Sequence, residues 1–75
     1  MESKRQMGLT PNMLFIKDAT REFIEQHGYS PTIRELMSIS GKKSTSEIDR
    51  IINSLIHRGH MEKLPATPRS LIVID

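Results

Sequence analysis

Polar and apolar positions along this chain keep a helical period up to Gly59 and drop to a period of two after it, and capping and turn residues divide the two stretches into five elements. In "LTPNMLFIKDATREFIEQHG" the apolar residues Met13, Ile16, Ala19, Phe23 and Ile24 recur at three- and four-residue intervals, with Lys17, Asp18, Arg21, Glu22 and Glu25 mostly on the other side. Thr10 as N-cap, Pro11 at the first helical position and Gly28 past the end predict a helix near 10–27. Leu14 and Phe15 widen its apolar stripe, so more than one side is expected to be covered. In "YSPTIRELMSISGKKS", Thr32 and Glu35 have capping-box spacing and predict a short helix near 33–39 that buries Ile33, Leu36, Met37 or Ile39. Gly41 breaks it, and a turn over 41–43 leads to a third helix near 45–58, with Ser44 as N-cap and Glu47 as its capping-box partner.

The third helix separates into two faces. At about 100° per residue, Ile48, Ile51, Ile52, Leu55 and Ile56 fall together, while Ser46, Arg50, Asn53, Ser54 and His57 point away. After Gly59 the period drops to two. "HMEKL" sets Met61 opposite His60 and Glu62, and "SLIVID" is a β-branched run, so antiparallel strands are predicted near 60–64 and 70–74. The intervening "PATPR" is stiffened by two prolines and ends at Arg69. Helix, helix, turn, helix and hairpin make a mainly α fold with a small β wing, a winged helix-turn-helix.

Composition narrows the chemistry. Seventy-five residues fit one small domain, with 1–8 as a flexible arm and 9–75 as the folded part. There is no cysteine, and His27, His57 and His60 lack metal-site spacing, so packing alone must hold the core and neither metal nor cofactor is expected. No triad order or glycine-rich phosphate loop is present, and no enzyme is expected. No apolar run approaches the roughly 18 residues of a membrane span, and the first residues lack a signal peptide's apolar stretch, which predicts a cytoplasmic protein without membrane contact. The net charge of +2 permits a nucleic-acid partner without demanding one.

The outward strip of the third helix carries a guanidinium fork, an amide and hydroxyls, groups that match base edges or phosphates. Lys42 and Lys43 stand just before it, where a duplex backbone would cross, and Arg69 at the wing is placed for a phosphate or minor-groove contact. Asn53 is expected at base edges, and Ser54 and His57 at the backbone.

Five stretches, "LT" at 9–10, Gly28, "PTIREL" at 31–36, "SGKKS" at 40–44 and "LIHRGHMEKL" at 55–64, resemble the DNA-binding domain of the LexA repressor family. The likeness runs from about Leu9 to Val73. It implies a bacterial SOS-type repressor, or a phage relative, that binds a palindromic operator in double-stranded DNA. The family's operator contacts fall here on Ser44, Ser46, Glu47, Asp49 and Arg50. Members commonly carry Asn and Ala where this chain has Ser46 and Glu47, and two glutamates where it has Asp49 and Arg50, so a different operator is implied. Ser40 replaces a family leucine, which implies altered turn packing. Ser70 replaces a family glycine, where serine accepts the wing's backbone geometry less readily. Family proteins also have a second domain with a serine–lysine self-cleavage pair and the main dimer contacts. Without it, a monomer or weak homodimer is expected, either as an excised domain or as a small DNA-binding protein. The competing reading is a winged module that binds a protein partner, which the acids Glu47 and Asp49 favour because each faces phosphate repulsion unless it meets a cytosine amino group or a lysine.

Overall fold

The computed structural model describes residues 9–74; the arm expected at 1–8 lies outside them. Helices α1 (Pro11–His27), α2 (Ile33–Ser40) and α3 (Thr45–His57) are followed by strands β1 (Met61–Glu62) and β2 (Ile72–Val73). The strands pair antiparallel, Met61 with Val73 and Glu62 with Ile72. They are shorter than the sequence pattern predicts, although one further bond, from the Ile74 N–H to the His60 carbonyl, prolongs the ladder.

Local chemistry sets the helix ends. The Thr10 hydroxyl accepts from the Met13 N–H at 3.2 Å. At α2 the capping box is complete: Glu35 N–H donates to the Thr32 hydroxyl and Thr32 N–H donates to the Glu35 carboxylate. The Ser40 hydroxyl bridges the following turn, donating to the Met37 carbonyl and accepting from the Lys42 N–H, so the turn is closed by hydrogen bonds. Helix α3 ends in a Schellman turn, with Gly59 at φ 83°, its N–H bonded to the Ile56 carbonyl and the His60 N–H bonded to that of Leu55.

Met13 and Ile16 of α1, Leu36 of α2 and Ile48, Ile51, Ile52 and Leu55 of α3 form one core, closed by Met61 and Leu71 from the hairpin. The α3 face read from the sequence is therefore the buried one. On α1 the stripe is rotated: Met13, Ile16, Lys17 and Thr20 are buried, and Ala19, Phe23 and Ile24 only partly so. A pattern of apolar residues alone misses this, because a lysine and a threonine occupy two of the four inward positions. Thr20 resolves its own polarity by donating to the Ile16 carbonyl at 2.7 Å. Leu14 and Phe15 are 48% and 51% exposed, so the second covered side expected of α1 is not made by the described residues. Ile39 is exposed too, leaving Leu36 as the buried residue of α2, with Ile33 and Met37 packed at the margin.

His60 is the other reversal. Strict alternation places it opposite Met61, yet both are buried, because His60 belongs to the Schellman turn and the two-residue period starts only at Met61. No helix among the described residues is long and apolar enough to cross a membrane.

Candidate nucleic-acid interface

The turn over 41–44 delivers α3 with Ile48, Ile51, Ile52 and Leu55 facing inward, which leaves the opposite side of the same helix exposed. Ser46, Asp49, Arg50, Asn53, Ser54 and His57 recur at three- and four-residue steps along it and line one shallow, open concavity with Arg58. A second hollow joins Ser46 and Asp49 to Thr45 and to Ile33 and Arg34 of α2. The face is thus continuous from the exposed side of α2 to the end of α3.

Its electrostatics are mostly self-paired. The Lys42 ammonium lies 3.2 Å from the Glu47 carboxylate, and that of Lys63, just after β1, lies 4.0 Å from Asp49. The Asn53 amide also reaches Asp49, at 3.5 Å. Both acids that count against a phosphate partner therefore have a lysine beside them. Lys43 and Arg50 are exposed and make no ion pair with another described residue.

Ser44 stands at the N-cap in extended conformation, but the capping box expected there is not made. Glu47 turns to Lys42 instead, and the Ser44 hydroxyl bonds that of Ser46 at 2.7 Å. The first turn of α3, at the positive end of the helix dipole, therefore has no cap from the Ser44 side chain.

Arg69, expected at a phosphate, has other partners. Its two terminal nitrogens bond the two oxygens of Glu35 at 2.9 and 3.0 Å, one of them also donates to the Ser30 carbonyl at 3.0 Å, and the guanidinium lies 4.7 Å from the Tyr29 ring centre. These hydrogen bonds from Arg69, then that from the Thr32 N–H, hold the Glu35 carboxyl below its ordinary 4.5. Ser70, expected to accept the wing's backbone less readily than glycine, avoids positive φ; the left-handed non-glycine residues of the wing are Ala66 and Arg69. The Ser70 hydroxyl instead accepts from the Leu64 N–H and donates to the Thr67 carbonyl at 2.8 Å, closing the loop on itself.

The sequence reading did not single out Arg34, Arg58 or Lys63 for this face. Arg34 is detectable in principle as an exposed base on the first helix of the helix-turn-helix. Lys63 is not, because nothing local places it beside Asp49, fourteen positions earlier in the chain.

A short helix, a glycine turn and a second helix packed across a third, with a two-stranded hairpin alongside, define a winged helix-turn-helix domain. Among such domains, this chain belongs to the LexA DNA-binding domain family: the family profile described as "LexA DNA binding domain" matches residues 4–70. The LexA repressor of Ruminiclostridium cellulolyticum is 35% identical over 60 residues, covering 80% of this chain and 28% of the relative. That of Acetivibrio thermocellus is 40% identical over 60 residues, again 80% of this chain and 28% of the relative. The LexA repressor of Limosilactobacillus reuteri is 46% identical over 48 residues, 64% of this chain and 23% of the relative. The chain spans less than a third of the length of these repressors.

Proposed function

We propose that this domain binds double-stranded DNA with sequence preference, laying α3 in the major groove, and that it acts as the operator-reading part of a bacterial or phage transcriptional repressor. The observation that carries this reading is the exposed polar strip of α3 from Ser46 to His57, presented by α2 and the turn while Ile48, Ile51, Ile52 and Leu55 on the opposite side are buried in the core. In this reading Ser44, Ser46, Glu47, Asp49, Arg50 and Asn53 face base edges. Arg50 has the donors for guanine, and the two carboxylates can accept from cytosine amino groups. Lys42, Lys43, Ser54 and His57 face phosphates, with Arg34 and Lys63 at the margins. The role is binding in the cytoplasm, without catalysis, and one domain covers a half-site, so two copies occupy a palindromic operator.

Selection from a random duplex pool at two salt concentrations tests the proposal. Enrichment of a palindrome whose preference relaxes in Arg50→Ala supports it. No enrichment, with Arg50→Ala binding every duplex as the parent does, would transfer this face to a protein partner.

A further inference from the structure

The wing loop between Lys63 and Leu71 is held from one side. Ala66 and Arg69 adopt φ of 55° and 54°, a left-handed backbone that residues with a side chain seldom occupy unless their surroundings impose it. At Arg69 those surroundings are all in the stretch from Tyr29 to Glu35: the bidentate carboxylate, the Ser30 carbonyl and the Tyr29 ring. The adjacent Leu71 N–H donates to the Ser30 hydroxyl at 3.2 Å, which ties the same end of the loop to the same segment. The other end of the loop carries Lys63 beside Asp49 on α3. Lys63 and Arg69 together line the hollow between the wing and the start of α2, with Pro31 and Ile52 at its floor.

We infer that Arg69 is a positioning residue rather than a phosphate ligand: clamped on Glu35, Ser30 and Tyr29, it fixes the wing against the start of α2 and thereby sets Lys63 at the edge of the reading face. The inference rests on the DNA-binding proposal for its functional consequence, though the clamp itself belongs to the free protein. A planar fork is required, because a carboxylate taken end-on by both terminal nitrogens and a stacked phenol cannot be matched by a point charge. Glu35 serves two masters, since one of its oxygens also accepts from the Thr32 N–H at the cap of α2. The wing is consequently registered on the helix-turn-helix itself.

The alternative, in which Arg69 leaves Glu35 to grip a phosphate, predicts opposite signs. Three variants separate the two: Glu35→Gln, which retains an acceptor for the Thr32 cap; Arg69→Lys, which retains the charge without the fork; and Arg69→Ala. The readouts are affinity for the selected duplex across a salt series and amide hydrogen exchange over 64–70 in the free protein. The clamp predicts faster exchange in all three. It predicts about two- to fivefold weaker binding in each, on the order of what an exposed ion pair can contribute, with no further loss when Glu35→Gln is combined with Arg69→Ala. In a Lys63→Ala background, Arg69→Ala should leave the salt slope unchanged, because the only phosphate contact the clamp positions is already gone. Tighter binding by Glu35→Gln, parental affinity in Arg69→Lys, or a slope lowered by about one by Arg69→Ala in the Lys63→Ala background would overturn the inference, as would unchanged exchange. If the parent selects no duplex, the DNA proposal fails, and the exchange measurements alone decide whether the clamp exists.

Discussion

The Lys17 ammonium and Nδ1 of His60 lie 3.1 Å apart in the buried layer between α1 and the hairpin, 43 residues apart in sequence. Because the ammonium can only donate, Nδ1 must accept, which puts the ring proton on Nε2. Nε2 is buried and has no hydrogen-bond partner among the described residues. The pair therefore satisfies one polar group while leaving another bare.

Removing one member should be worse than removing both. His60→Leu leaves a buried ammonium without its acceptor and should cost on the order of 1–3 kcal/mol. Lys17→Met combined with His60→Leu deletes the charge and the bare N–H together and should recover the loss or exceed the parent's stability. Urea unfolding of the four proteins of this cycle measures it, and additive losses would contradict the pairing.

The same pair sets a pH dependence. Burial first, then the charges of Lys17 and Arg58, hold the His60 imidazole below its ordinary 6.5. The native state therefore favours the neutral ring. Its contribution is complete above the unfolded value of about 6.5 and is lost as pH falls below it toward the lowered native value, where the unfolded chain takes up the proton first. Melts of the parent at about pH 7.5 and about pH 5.5 should differ more than those of the Lys17→Met, His60→Leu double variant.

Ile52 and Leu55 are fully buried at the centre of the core, so truncating either to alanine should cost roughly 2–5 kcal/mol. For a domain of 75 residues that is a large part of the total. Ile56→Ala, at the partly exposed edge, should lose less. Equal melting temperatures for Ile52→Ala and the parent would show that this layer is not the core.

On DNA, the lysine and the arginine of the reading face should behave differently. Lys43→Ala should weaken all duplexes about equally and lower the salt slope by about one. Arg50→Ala should cost roughly 1–3 kcal/mol on the selected site and relax preference at one or two base pairs. Competition titrations against scrambled duplexes distinguish these signatures. Sedimentation of the free chain should give a monomer or a weak dimer, with two copies present only on the full palindrome.

Legibility of this molecule from its sequence follows the range of the interaction. The caps at Thr10 and Thr32, the turn at Gly41 and the two faces of α3 depend on neighbours within a few residues, and the pattern exposes them. Inward Lys17 and His60 look polar in any local window, and only their contact across the fold explains their burial. Arg69 likewise reads as a free base at a loop tip until Glu35, 34 residues earlier, is brought beneath it. At Ser44 even the local rule loses, because Lys42 offers Glu47 a charged partner in place of a backbone N–H. The strip from Ser46 to His57 was readable, and so was Lys42 beside it, though not as the partner of Glu47; Lys63, brought to Asp49 by the fold, was not separable from an ordinary charged surface.

Were α3 to read DNA as proposed, the self-pairing of Glu47 with Lys42 and of Asp49 with Lys63 would make binding an exchange reaction at the surface. A duplex of arbitrary sequence that draws either lysine to a phosphate strips a carboxylate of its counter-ion and leaves it facing the polyanion. A duplex with a cytosine amino group at the right step gives that carboxylate a new donor as the lysine departs. Discrimination would then arise largely from how badly the wrong sequence is tolerated. Neutralising the acids, as in Glu47→Gln with Asp49→Asn, would make a stickier protein and a less selective one.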